Sequence, residues 1–235
     1  MTGRRFEQLL RCLHCESVPN NDRLTKISEL LELVNSSFQT AYKPGKNLWI
    51  DESMMLRRGR LSFRQFIKSK KNKYGIKFYE FCTHDGYALN LDIYKGKVTH
   101  EVSSLSVVDS VIMRLMESYL SEGLSLFMDN YYNSVGLANR LLSFKTHTTG
   151  TLRTNRKMNP KPKIIDVQNK YGIAKKKPIE IANYNVNMHR QMYDQMILYY
   201  SSPKKSIRWY KKVIFHLLHI SIWNHVKNRL FRFCT

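Results

Sequence analysis

The chain has 235 residues, 43% of them hydrophobic, which is enough to bury a sizeable core. Lys and Arg number 39 against 18 acids, a formal net charge of +21. An excess that large argues against a merely soluble basic protein and for a polyanionic partner, most simply nucleic acid.

Arg4-Arg5 opens onto an amphipathic pattern and not onto an apolar core, so no signal peptide is expected. Phe6, Leu9, Leu10 and Leu13 recur at helical spacing. Pro19-Asn20-Asn21-Asp22 interrupts them. Ile27, Leu30, Leu31, Val34 and Phe38 then trace a second amphipathic helix, which Lys43-Pro44-Gly45 ends. At this level two roles stay open for these helices, packing on a sheet or contacting DNA. Cys12-Leu13-His14-Cys15 has the spacing of half a zinc site, but no second ligand pair follows. The cysteines read as reduced thiols, in keeping with an intracellular setting.

Residues 48–50 form a short apolar strand that delivers Asp51 and Glu52. Residues 57–73 are a basic loop carrying Arg57, Arg58, Arg60, Arg64, Lys68, Lys70, Lys71 and Lys73, with Phe63 and Phe66 interleaved. That mixture suits a phosphate backbone, against the plainer reading of a solvated charged loop. Residues 74–82 make a second strand and Thr83-His84-Asp85-Gly86 a hairpin turn. The third strand, residues 87–94, puts Leu89, Leu91 and Ile93 on one side and Asn90 and Asp92 on the other. Asp92 is therefore expected to face solvent. Leu105, Val108, Ile112, Leu115, Met116 and Tyr119 trace a helix closed by Gly123.

The stretch Leu124-Ser125-Leu126-Phe127-Met128-Asp129-Asn130-Tyr131-Tyr132 organises the rest. Its apolar run ends in Asp129, as residues 48–50 end in Asp51. Two such strands side by side place paired carboxylates at one edge of a sheet, where a metal binds. The plainer reading of each acid is a turn or cap after a strand. Leu137, Leu141 and Leu142 mark a short helix, and residues 148–153 a fifth strand. Three strands, helix, strand, helix, strand is the order of a ribonuclease-H-like domain. Residues 154–177 turn basic and Pro-containing and read as an exposed linker or arm. Ile214, Leu217, Leu218 and Ile222 then give a buried helical stripe, flanked by His216 and His219. That stripe argues against a membrane-surface or calmodulin-type basic helix there. The apolar run at 213–223 is too short to cross a bilayer, so no membrane partner is expected.

Five segments resemble the catalytic core of piggyBac-type transposases in order and spacing. They are Asp51-Glu52-Ser53-Met54, Arg58-Gly59-Arg60-Leu61-Ser62-Phe63-Arg64-Gln65, Lys73-Tyr74-Gly75-Ile76-Lys77, Phe127-Met128-Asp129-Asn130-Tyr131-Tyr132-Asn133-Ser134 and Gly150-Thr151-Leu152-Arg153-Thr154-Asn155-Arg156-Lys157. The resemblance runs from residue 4 to about residue 228. It implies an α/β fold, a ribonuclease-H-like mixed five-stranded sheet with flanking helices plus an N-terminal helical segment. The expected divisions are residues 1–46 (helical, part of a DNA-binding or dimerisation region), 47–153 (the core), 154–183 (a basic linker, remnant of an insertion) and 184–235 (helices completing the core).

The resemblance also implies DDE/DDD chemistry on phosphodiester bonds. In that scheme Asp51 bridges two Mg²⁺ or Mn²⁺ ions and Asp129 holds one of them. The third acid departs from the family pattern. Counting back from Asp194-Gln195-Met196, Gln191 takes its place, and Arg190 stands beside it. Asp194 lies about one helical turn on and substitutes only if the helix shifts along its axis. Arg153, Arg156, Lys157, Arg208, Lys211 and Lys212 join the basic loop as expected DNA contacts. The implied partners are transposon-end DNA with a TTAA-type target, a homodimer is allowed, and the implied location is the nucleus. The relatives continue into a Cys-rich zinc module beyond the position of Thr235, so no zinc module is expected. The resulting expectation is a piggyBac-like transposase-derived DNA-binding protein with a degenerate site. The alternative is an active metal-dependent cut-and-paste transposase or nuclease.

Overall fold

β3 (Tyr74–Thr83) lies at the centre of the sheet, and every one of its residues after Tyr74 is buried. A strand covered on both faces needs this near-continuous apolar run, and its few polar groups need partners. The computed structural model describes residues 1–13, 15, 22–68, 70, 72–96, 106–153, 164–168, 174–178 and 208–234. In it β3 pairs antiparallel with β1 (Asn47–Leu56) from Leu48↔Thr83 to Leu56↔Gly75. β4 (Ala88–Ile93) and the two-residue β2 (Gln65–Phe66) also pair antiparallel with β3. β1 pairs parallel with β5 (Ser125–Met128), and β5 parallel with β6 (His147–Gly150).

The mixed sheet thus has six strands, one more than expected. The addition is β2, inside the basic loop. Two residues carry no periodicity, and only pairing with Tyr74 and Gly75 makes them a strand. β1 also runs on past Asp51 to Leu56, where a strand end was expected. Acids are poor strand formers, but the ladder with β3 overrides that preference.

Among the described residues five helices accompany the sheet: α1 (Gly3–Cys12), α2 (Ser28–Ala41), α3 (Val107–Met116), α4 (Val135–Ser143) and α5 (Trp209–Cys234). α2 packs on β4 and α5, burying Leu31 and Phe38, which assigns it to the core. α1 buries none of its residues. α5 lies on the face of Phe78, whose ring meets His216 edge-on at 4.8 Å. Its Asn224 side chain bonds both backbone groups of Ala88, at 2.9 and 2.8 Å. α3 covers the opposite face. The Asn90 amide donates to Leu115 O at 3.0 Å, and Arg114 pairs with Asp92.

Asp92 is therefore buried beneath α3, contrary to the solvent-facing expectation. The alternation in β4 suits one wet face, but α3 covers that face as well. α3 itself stops at Met116 and hands over to a 3₁₀ turn, Glu117–Tyr119, before Gly123 at φ 74°. In α5 the buried stripe is Tyr210, Val213, Ile214, Leu217 and Ile220, while Leu218 and Ile222 are exposed. The expected linker contains a two-stranded antiparallel sheet, β7 (Ile164–Gln168) with β8 (Ala174–Pro178). No helix among the described residues is long and apolar enough to cross a membrane.

The His216 ring touches Phe78, and its Nε2 is enclosed with no hydrogen-bond partner among the described residues. Burial, helped by His219, pushes the imidazole down from 6.5 to about 4. The unfolded chain then binds the extra proton between those values, so stability is full above pH 6.5 and falls toward pH 4. The loss attributable to His216 is roughly 3 kcal/mol. Denaturant unfolding from pH 7.5 to 4.5 should show proton uptake on unfolding, and His216→Leu should reduce that uptake by about one proton. An unchanged slope in the variant would refute the assignment.

Candidate metal centre and nucleic-acid interface

The site rests on the β1–β5 register. Ile50↔Met128 is its last paired position, and the next residues along are Asp51 and Asp129. Both acids are half-buried. They occupy corresponding positions on neighbouring strands, as the sequence suggested. β1 continues through Asp51, whereas the chain leaves β5 at Asp129 and turns. Asp129 Oδ1 accepts from Tyr131 N at 2.7 Å, and its carbonyl from Asn133 N at 3.1 Å. Asp129 thus also performs the turn-forming role that was its plainer reading. Across the sheet, Asp51 faces Glu80 of β3, a buried carboxylate that accepts from the Ser53 hydroxyl.

Glu52 points to the other face of β1 because side chains alternate along a strand. The Tyr132 hydroxyl donates to Glu52 Oε2 at 2.7 Å, and Lys70 Nζ lies 3.8 Å from Oε1. Lys77, two positions from Tyr79 on the same face, is buried. Its ammonium sits 4.6 Å from the centre of the Tyr79 ring, 4.5 Å from Tyr131 and 5.7 Å from Tyr132. Burial pushes this ammonium down, and Glu52, Asp129 and Asp51 act against that shift. Burial and Glu52 push the Tyr132 phenol far up, which keeps it a hydrogen-bond donor. Sequence reasoning gave Lys77 no role. Its signal was the one cation in a strand that is mostly apolar or aromatic.

The basic loop is anchored to the strands. Lys70 Nζ donates to Glu52 O at 2.6 Å, and the Asn72 amide to Met54 O at 3.2 Å. Ile67 N donates to Lys73 O at 2.9 Å. Arg58, Arg60, Arg64, Lys68 and Lys73 are exposed. Arg57 is buried, and its guanidinium packs so close to Gly59 that an added Cβ would sit 2.7 Å away. Arg153 lies beside the Asp129 turn, 3.4 Å from Asn130 Oδ1 and 5.7 Å from the Tyr131 ring. Arg208 donates to the Tyr210 hydroxyl at 2.9 Å, and Lys212 is half-buried. Lys211 is buried and donates to Leu10 O and, at 2.8 Å, Arg11 O at the end of α1. Arg57 and Lys211 are thus placed as structural cations. Lys71, Arg156, Lys157, Gln191 and Asp194 lie outside the described residues.

Two adjacent carboxylates are the oxygen donors that a hard divalent cation takes, so the donor chemistry fits Mg²⁺ or Mn²⁺. Among the described residues no group of three or more His, Cys, Asp or Glu forms a cation site.

A family model described as Transposase IS4 matches residues 1–170. The chain belongs to this transposase family. The PiggyBac transposable element-derived protein 3 of Homo sapiens is 30% identical over 159 residues, covering 63% of this chain and 26% of that protein. The chimeric ERCC6-PGBD3 protein of Homo sapiens is likewise 30% identical over 159 residues, covering 63% of this chain and 15% of its own length. A solved piggyBac transposase synaptic complex with hairpin DNA superposes with a TM-score of 0.82 at 24% identity. That match covers 95% of this chain and 56% of the other, and it identifies the fold as ribonuclease-H-like. The chain therefore spans about a quarter or less of these two curated relatives and little more than half of the solved transposase.

The Tyr132–Glu52 bond ties the turn after Asp129 to the strand that carries Asp51. A hydrogen bond to a charged partner contributes about 1.5–3 kcal/mol. Tyr132→Phe should lower unfolding stability by about that amount in a urea titration. A change below about 0.5 kcal/mol would mean the bond is no strut.

Proposed function

We propose that this chain is the catalytic-core portion of a piggyBac-like, transposase-derived DNA-binding protein whose metal site is degenerate. The β1–β5 register supports the reading, because it sets Asp51 beside Asp129. The exposed cations Arg58, Arg60, Arg64, Lys68 and Lys73, anchored next to Glu52, support DNA as the partner. Bound between Asp51 and Asp129, Mg²⁺ or Mn²⁺ would activate the attacking oxygen and stabilise the leaving one. Asp51 and Asp129 supply the negative charge that holds such ions, and Arg153 beside the Asp129 turn suits an approaching phosphate. Gln191 at the third acid position offers only a neutral oxygen, which binds a hard dication more weakly than a carboxylate does.

Transposon-end DNA, a TTAA-type target, a homodimer and residence in the nucleus complete the proposal and derive from the family resemblance. The alternative, an active cut-and-paste transposase, draws its support from the retained Asp51–Asp129 pair and requires Asp194 as third ligand.

Binding and cleavage measurements test this reading. DNA affinity should fall steeply with salt, each phosphate contact adding about −0.9 to the slope of log K against log salt. Affinity that is flat between low and moderate salt would remove DNA as the partner. Titration calorimetry with Mn²⁺ should show weak binding that Asp51→Ala or Asp129→Ala abolishes. End-containing DNA should stay uncut with Mg²⁺ or Mn²⁺, while Gln191→Asp, with one residue inserted to restore the family spacing, tightens Mn²⁺ binding about ten-fold or more. Excision by the unaltered chain that Asp51→Ala abolishes would instead establish the active reading.

A further inference from the structure

The loop between β1 and β3 carries more than charge. Phe66 is 54% exposed and Tyr74 47% exposed, and their ring centres lie 4.6 Å apart with planes inclined at 40°. The Arg64 guanidinium lies over Tyr74, 5.3 Å from its centre. It is held there by donating to Arg58 O at 2.8 Å. Phe6, Phe66 and Tyr74 are the large aromatic side chains that are exposed among the described residues, and two of the three meet here. β2 exists only through pairing at these positions, Phe66↔Tyr74 and Gln65↔Gly75, so the backbone fixes the rings relative to each other. The loop is anchored at Glu52, the residue after Asp51.

A phosphate uses the surrounding cations but has no use for a ring face. A nucleobase does, since aromatic stacking holds bases without reading their sequence. Bases inside a duplex hide their faces in the helical stack, so only an unpaired base can lie on this surface. A protein partner would account for the exposed rings, but not for Arg58, Arg60, Arg64, Lys68 and Lys73 all being exposed in the same loop.

We infer that Phe66, Tyr74 and Arg64 form a stacking platform for an unpaired DNA base at the Tyr74 end of β3, whereas Asp51 pairs further along the same strand, at Glu80. This rests on the DNA-binding reading above and adds the state of the DNA: single-stranded or locally unpaired at the platform. The cations grip the backbone on either side of the base, and the rings take the base itself. The contact discriminates unpaired from paired DNA and is indifferent to sequence.

The test uses the whole chain and two oligonucleotide duplexes carrying 2-aminopurine, one with the analogue unpaired in a small internal loop and one fully paired. The unaltered chain should bind the looped duplex more tightly and quench its 2-aminopurine fluorescence. Phe66→Leu and Tyr74→Leu each keep apolar bulk and remove a π face. Each should cut the preference for the looped duplex about ten-fold, the loss of one base–aromatic contact. Neither removes a cation, so the salt slope on the fully paired duplex should stay the same. Circular dichroism checks folding. Should Tyr74→Leu disturb β3, Phe66→Leu decides, because Phe66 lies on an exposed two-residue strand. Salt-dependent binding to both duplexes with no preference and no quenching would overturn the platform and leave the DNA-binding reading standing. A chain that binds neither duplex would overturn both.

Discussion

The parallel pairing of β1 with β5 is the constraint on which the candidate site depends. Trp49 and Phe127 are register partners, and their rings stack at 4.8 Å with planes 13° apart. Such a pair contributes about 0.5–1.5 kcal/mol beyond its buried area. More important is that it fixes register. A slip of one residue would turn Asp129 to the opposite face and separate it from Asp51. The third parallel strand holds the same alignment. Gly150 pairs with Met128 so closely that a Cβ at Gly150 would collide with the Met128 carbonyl. A glycine there lets β6 press against the residue that precedes Asp129.

Consecutive residues of β1 divide the work between the two faces of the sheet. Asp51 belongs to the face where Glu80 and Ser53 meet. Glu52 belongs to the face where Tyr132, Lys77 and Lys70 meet. The second group is a polar cluster enclosed by aromatic rings, and its members compensate one another. Glu52 gains a phenol donor and an ammonium, while Lys77 trades part of its hydration for three ring faces and nearby carboxylates. Because Tyr131 and Tyr132 belong to the turn that Asp129 opens, this cluster holds that turn against β1 from behind.

Much of this architecture was legible in the sequence. The apolar run of β5, the Asp-Gly turn between β3 and β4, and the helical spacings of α2, α3 and α4 depend on local pattern, and local pattern specified them. What escaped depends on distant partners. β2 is two residues long and exists because β3 lies alongside. β1 extends through two acids because its ladder with β3 outweighs their poor strand propensity. Asp92 alternates as a wet-face residue should, yet α3 closes over it. Leu218 and Ile222 look like core but are exposed, because α5 presents its Val213–Leu217–Ile220 side to the sheet. Asp51 and Asp129 were legible as acids that follow short apolar runs, and the β1–β5 register sets them at corresponding positions. Lys77 and the clamp around Glu52 were not, since nothing local to Lys77 announces the rings of Tyr131 and Tyr132, which come from the turn after β5.

The basic charge itself divides once the structure is considered. A net charge of +21 invites reading every cation as a phosphate contact. Arg57, Lys77 and Lys211 are buried. Lys211 caps the carbonyl end of α1, which favours a cation by both hydrogen bonding and helix dipole. Lys95 pairs with Asp22 at 2.6 Å, and Arg23 donates to Lys95 O at 2.7 Å, tying the approach to α2 to the end of β4. Lys70 fastens the loop to β1. Among the described residues of this region the exposed cations are Arg58, Arg60, Arg64, Lys68 and Lys73, with Arg153 beside the turn. The positions of the loop cations are set by the anchor of Lys70 on β1 and by the bond from Arg64 to Arg58 O.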